Sequence, residues 1–129
     1  MITATIGKDH YKTEITTGSH TIIADEPDEV QGSNLGPSPT EYLGVALASC
    51  TAITLRMYAD RKAWLVDKIH VHITITKEVD KTIFNREVVL EGALNEEQRQ
   101  RLLQIANACP VHKILTHPIE INTQLGLTL

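Results

Sequence analysis

The sequence predicts an α+β fold. Three observations carry that reading. Segments with two-residue alternation cluster near the start of the chain and again past its middle. One long apolar helical stretch separates the two clusters, and two shorter helical segments follow the second. Strands and helices that group, rather than alternate one by one, make antiparallel sheets flanked by helices and not a doubly wound parallel sheet. At 129 residues the chain is one domain's worth, and residues 1–129 are read as a single domain with one core.

The first cluster is Ile2–Gly7 (ITATIG), Tyr11–Thr16 (YKTEIT) and His20–Glu26 (HTIIADE), broken at Gly7-Lys8-Asp9 and Gly18-Ser19. Glycine-centred breaks between β-rich runs predict an antiparallel meander. Asp25–Pro39 (DEPDEVQGSNLGPSP) then reads as a loop, acidic at first and later rich in Gly, Ser, Asn and Pro. Its length is unusual inside a compact domain and marks it as functional or mobile. The long helix begins at Ser38-Pro39-Thr40-Glu41, which matches a capping box with Ser38 as N-cap, Pro39 at the first helical position and Glu41 at the third. From Tyr42 to Tyr58 apolar residues fall on nearly every side, which predicts a helix buried all round. Asp60-Arg61-Lys62 ends it, with basic residues at the negative helix terminus.

Val66–Val79 (VDKIHVHITITKEV) alternates strictly. Ile69, Val71, Ile73 and Ile75 share one face; Lys68, His70, His72, Thr74 and Thr76 share the other. That is a strand with one buried face. Thr82–Leu90 reads as its partner across a turn at Asp80-Lys81. A second helix is capped at Asn95 and runs to about Asn107, and a short third one starts at Cys109-Pro110. Pro118–Gln124 (PIEINTQ) reads as a last strand.

The net charge is −4 and no Lys/Arg-rich run occurs, which argues against nucleic acid or an anionic membrane as partner. No uninterrupted run of about eighteen apolar residues is present, and MITATIGKDH lacks a signal-peptide pattern. A cytoplasmic protein is the expectation. In a reducing compartment two cysteines are read as reactive or incidental, not as a permanent staple.

The two cysteines are Cys50, in the middle of the long helix, and Cys109, at the start of the short one. A cysteine buried in mid-helix is ordinarily inert packing. At a helix start, unpaired backbone N–H groups favour thiolate. Together the two allow peroxidatic chemistry. One sulfur in a sheltered apolar pocket attacks a peroxide O–O bond, and a second traps the sulfenic acid as a disulfide. The apolar shelter raises a thiol pKa, so a cation or hydrogen-bond donor has to compensate.

GPSPTEYLGVALASCTAITLRMYADRKAW and, further on, ANACPVHKIL resemble the two cysteine motifs of the OsmC/Ohr family, the osmotically inducible and organic hydroperoxide resistance proteins. The shared pattern is a P-x-E-L-like helix start, an alanine-rich helix carrying a cysteine, and a distant cysteine-proline segment with a lysine and an apolar residue. The resemblance implies curved antiparallel sheets packed around two long central helices, in an intertwined homodimer with active sites at the subunit interface. It implies Cys50 as peroxidatic thiol and Cys109 as resolving thiol, a small-molecule hydroperoxide as substrate, and a dithiol reductant such as one of lipoyl type. It implies no bound cofactor or metal. Family members with strong activity carry an arginine in the N-terminal half and a glutamate ten residues before the cysteine. Here residues 1–55 contain no arginine, Thr40 stands ten before Cys50, and the glutamate is Glu41. At about 100° per residue, Glu41 lies roughly 180° round the helix from Cys50, so capping is its first role and catalysis its second. Lys8, Lys12, Arg56 and Arg61 are the cations considered for the thiolate, although Arg56 lies about 240° round the helix from Cys50.

Six histidines raise a metal reading, with His70 and His72 as one set and Cys109, His112 and His117 as another. Neither supplies a full ligand spacing. His112, one turn beyond Cys109, is read as a neighbour that tunes that thiol. Three function classes follow: a thiol peroxidase, a binding protein whose interface pocket holds an apolar ligand, and a metal or thiol sensor.

Overall fold

A computed structural model describes residues 1–127. They form two compact units, Met1–Ala46 and a second from Leu47 onward, with the boundary inside the long helix.

The first unit is built on a three-stranded antiparallel sheet. Its strands are β1 (Ile2–Ile6), β2 (Thr13–Thr17) and β3 (His20–Ala24), in that order across the sheet. The meander follows the sequence: Ile15 pairs with both Ala4 and Ile22, and Gly18 takes a left-handed φ of 59° in the β2–β3 turn. The segment after β3 is organised around one buried side chain. Asp25 Oδ1 accepts from the backbone N–H of Tyr11 (3.0 Å), Glu26 (2.7 Å) and Ser33 (3.4 Å), and Oδ2 accepts from Leu35 N–H at 3.1 Å. Asp25 N–H in turn donates to Pro37 O at 3.1 Å. A short 3₁₀ turn, Asp28–Val30, lies within the segment. The loop, read as functional or mobile, is tied at its base, because a single carboxylate satisfies four backbone donors that would otherwise need water.

Helix α1 (Pro39–Arg61) starts as the capping box predicts: Glu41 N–H donates to Ser38 Oγ at 3.3 Å, and Ser38 N–H donates to Glu41 Oε1 at 3.0 Å. The expectation of all-round burial fails. Leu47, Thr51, Leu55 and Ala59 are buried, spaced four apart on one stripe, whereas Leu43, Val45, Ile53 and Met57 are exposed. Residues four apart share a helix face. Among the described residues nothing covers those four exposed side chains, whereas Tyr58 packs against the core. By length and composition α1 is also long and apolar enough to cross a membrane, yet here it supplies Leu55 and Ala59 to the core of the second unit.

In the second unit, β4 (Leu65–Lys77) and β5 (Thr82–Ala93) make a long antiparallel hairpin. The alternation is as read: Ile69, Val71, Ile73 and Ile75 are partly buried, and His70, His72, Thr74 and Thr76 are exposed. A bulge between Val66 and Lys68 bends the base of β4, opposite Gly92. Gly92 has φ 148°, and a Cβ there would stand 2.1 Å from Leu65 O. No other residue fits that position. Helix α2 (Glu96–Ala106) opens on a capping box of Asn95 and Gln98. It packs Leu102 and Ala106 against Leu55, Ala59 and Val66, with Tyr58, Trp64, Val88 and Leu90 around them. Full burial of Leu55 and of Leu102 stabilises the unit by about 1.5–3 kcal/mol each. Helix α3 (Pro110–Leu115) follows, with Pro110 at its first position.

The strand expected at Pro118–Gln124 is not formed. The segment has no ladder partner among the described residues, and Ile119 and Ile121 are exposed. Alternation names a face and not a neighbour, so the pattern alone does not make a ladder.

Candidate thiol site

Cys50 lies on α1 and Cys109 is the N-cap of α3; both are free thiols. Cys109 has no exposed surface, and Cys50 is half-buried. Nearly sixty residues apart in sequence, the two thiols hydrogen-bond each other. The N-cap geometry follows from Pro110, which fixes the first turn, and it aims His112 N–H at Cys109 Sγ across 3.4 Å.

Burial pushes both thiols up. For Cys109 that push is outweighed by its neighbours: the Cys50 thiol, the N–H of His112, the Thr51 hydroxyl and the N–H of Val111 together hold it below an ordinary thiol. Cys50 is left above one, by burial first and then by its place as donor to Cys109. Of the two thiols, Cys109 at the helix start therefore gives up its proton first.

One residue missed in the sequence organises the surroundings. Arg86 on β5 donates from Nη1 to Thr51 Oγ1 (3.1 Å), from Nη2 to Asn107 Oδ1 (2.8 Å), and from Nη2 to His112 Nδ1 at 3.3 Å. Thr51 Oγ1 also donates to Leu47 O at 2.7 Å. Thr51 adjoins Cys50 in sequence, and His112 gives its N–H to Cys109. Arg86 thus ties together the neighbours of both sulfurs. An arginine only donates, so His112 Nδ1 accepts and the neutral ring carries its proton on Nε2. Burial, reinforced by the Arg86 charge, lowers the His112 pKa and keeps the ring neutral. The signal was present in the pattern: Arg86 falls in the same phase as Phe84, Val88 and Leu90, a charge where alternation asks for an apolar residue.

The other named residues stand elsewhere. Arg56 donates to Val66 O (2.8 Å) and Asp67 O (3.3 Å), closing the α1–β4 connection. Lys8 and Lys12 belong to the first unit, and Arg61 is exposed at the end of α1. Glu41 is engaged in the capping box, and its bonds from the Ser38 N–H and hydroxyl lower its pKa. His70 hydrogen-bonds Glu91 across the hairpin and lies parallel to His72, with ring centroids 6.5 Å apart. His117 Nδ1 meets Lys113 O. Among the described residues no group of three or more His, Cys, Asp or Glu side chains is placed to hold a metal ion.

Beside the thiols, a cavity of about 630 Å³ opens against β5, α2 and α3, and Arg86, His112 and Phe84 are among the residues that line it.

Fold and site together define a class: an α+β protein with two cysteines, distant in sequence, that meet inside one unit under a shared set of hydrogen-bond donors. The chain belongs to the OsmC family; the model of OsmC-like proteins matches residues 32–124, a span that holds both cysteines. Solved structures repeat the fold. An osmotic stress induced and detoxification response protein from Psychrobacter arcticus is 23% identical, with 91% of this chain and 88% of that one covered and a TM-score of 0.77. An OsmC-like protein from Mycoplasma pneumoniae is 18% identical, with 89% and 85% covered and a TM-score of 0.77. The organic hydroperoxide resistance protein OhrB of Bacillus subtilis is 19% identical, with 90% and 89% covered and a TM-score of 0.62. No curated protein sequence matches the chain.

Proposed function

We propose that the protein is a thiol-dependent peroxidase of organic hydroperoxides, with Cys50 as the attacking and Cys109 as the resolving sulfur. The observation that carries this is the direct hydrogen bond between the two thiols within one chain. Cys50 is the sulfur with exposed surface, so it meets the peroxide. Cys109, held as thiolate, takes the Cys50 proton as Cys50 attacks the O–O bond. The sulfur is oxidised to sulfenic acid, the bond breaks, and the departing alkoxide is protonated to an alcohol. Cys109, returned to thiolate, then attacks the sulfenic sulfur; hydroxide leaves, takes a proton and becomes water, and a disulfide remains. The low Cys109 pKa serves the second step, in which the thiolate is the nucleophile. Glu41 keeps a secondary place in this reading, through the start of α1. An external dithiol, of lipoyl type, returns the disulfide to thiols. The acting form is a homodimer in the cytoplasm; exposed Leu43, Val45, Ile53 and Met57 on α1 support an apolar interface.

The test is a thiol count on reduced protein before and after one equivalent of cumene hydroperoxide, beside the same count with hydrogen peroxide. Loss of both thiols within seconds, faster with the organic peroxide and abolished by Cys50→Ser, is the expected result. Persistence of both thiols for many minutes overturns the proposal.

A further inference from the structure

The cavity beside the thiols has a composition that the thiol pair does not explain. Its walls include Phe84, Val88, Leu103 and Leu115, and Arg86 is the cation in its lining. Arg86 is half-buried, and no carboxylate pairs with it among the described residues. Its three hydrogen bonds go to neutral acceptors: a hydroxyl, an amide oxygen and the ring of His112. A guanidinium has five N–H donors, so Nε–H and the second Nη1 hydrogen have no partner among the described residues. His112, neutral for the reasons given above, supplies no compensating charge. A partly desolvated cation without a counter-charge, at the wall of a cavity lined by apolar and polar groups in about equal measure, calls for an anion with an apolar body.

We infer that this cavity binds an amphiphilic carboxylate, whose head pairs with Arg86 and whose hydrocarbon chain lies along Phe84, Val88 and Leu103. Three features support that ligand class over others. A planar carboxylate matches the fork geometry of a guanidinium. The apolar walls exclude a small hydrated anion as the best occupant, since half of the lining would gain nothing from it. A volume of about 630 Å³ lies within the range of small-molecule pockets. The inference rests on the cavity and Arg86, not on the peroxidase reading, so the two fail separately. Binding needs no oxidation of either thiol.

The experiment is calorimetric titration of the reduced full-length protein with octanoate, and with octan-1-ol as a probe of equal chain length and no charge. Wild type is expected to bind octanoate more tightly than octan-1-ol, with an octanoate affinity that falls as salt is raised. Arg86→Gln should weaken octanoate binding about tenfold or more and leave octan-1-ol unchanged, because a charge-assisted hydrogen bond is lost and apolar contact is kept. Arg86→Lys should give an intermediate affinity. Leu103 is exposed, so Leu103→Glu is tolerated by the fold; it sets a like charge at the cavity wall and should abolish octanoate binding even where Arg86→Gln proves unstable. Equal octanoate affinity in wild type and Leu103→Glu, or no preference of wild type for octanoate over octan-1-ol, overturns the inference.

Discussion

Arg86 Nη1 donates to Thr51 Oγ1 across 3.1 Å, a bond from β5 to the residue beside Cys50 on α1. Thr51 is fully buried, and its hydroxyl, which donates to Leu47 O, lies beside Cys109 and helps to hold that thiol low. One hydroxyl thus connects the guanidinium with the sulfur that ionises first. Thr51→Val keeps the shape and removes that oxygen. It should raise the Cys109 pKa and destabilise the protein by about 1–3 kcal/mol, since a buried donor loses its partner. A pH titration of thiolate absorbance near 240 nm reads the first effect, and urea unfolding reads the second.

The two thiols should titrate in a fixed order. Cys109 lies below an ordinary thiol because Cys50 donates to it along with His112 N–H; Cys50 is raised by burial and by Cys109. Cys50→Ala removes a donor and should move the first thiolate transition to higher pH. Cys109→Ala should move the Cys50 transition down, towards the ordinary thiol value, because one of the groups that raise it has gone. An unchanged first transition in Cys50→Ala would exclude the hydrogen bond between them.

The Asp25 knot should open in acid. Burial pushes the Asp25 carboxyl up, but the four backbone N–H bonds from Tyr11, Glu26, Leu35 and Ser33 prevail and hold it below its ordinary value. Its folded pKa is thus lower than its unfolded one. The stabilisation it gives is complete above the ordinary aspartate range, near pH 4, and is lost as pH falls through the folded value. Asp25→Asn should produce the same opening at neutral pH, since an amide nitrogen cannot accept the bond that Leu35 N–H gives. Limited proteolysis should then cut within residues 26–37, where wild type resists.

Ser38→Ala should cost about 1 kcal/mol through the lost α1 N-cap. Glu41→Gln preserves the capping box, which accepts glutamine at that position. It should leave thermal stability and the rate of thiol oxidation nearly unchanged. A large drop in that rate with no change in melting temperature would give Glu41 a part in the chemistry.

Gly92→Ala should destabilise the hairpin base by roughly 1–3 kcal/mol, because φ 148° is strained for any residue with a Cβ and Leu65 O occupies the space. Chemical denaturation, with the bulge between Val66 and Lys68 followed by amide exchange, checks it.

What the sequence made legible follows physical range. The capping box at Ser38 and Glu41 is a contact over three residues, and it formed as read. The β4 alternation is a property of single residues meeting one surface, and it too held. The fold class and the family rested on element order and on two cysteine segments, both written directly in the chain. The errors came where a partner had to be known. Pro118–Gln124 has the pattern of a strand but no ladder partner among the described residues, and Leu43, Val45, Ile53 and Met57 on α1 are exposed. Arg86 is not legible in the sequence as the cation near Cys50, because its bonds to Thr51 and His112 cross 35 and 26 residues. The Asp25 knot gathers donors from 14 residues before it to 10 residues after, a closure that loop composition does not encode.

Cys109 Sγ is both one half of the thiol pair and the acceptor that closes the first turn of α3. A disulfide sulfur is a weaker acceptor than a thiolate, so under the proposed chemistry the bond from the His112 amide weakens when Cys109 is oxidised. With a length of 6 residues, α3 has little reserve against that change. The hydrogen-exchange rate of a single amide, that of His112, is then expected to rise on oxidation and to report the redox state of the pair.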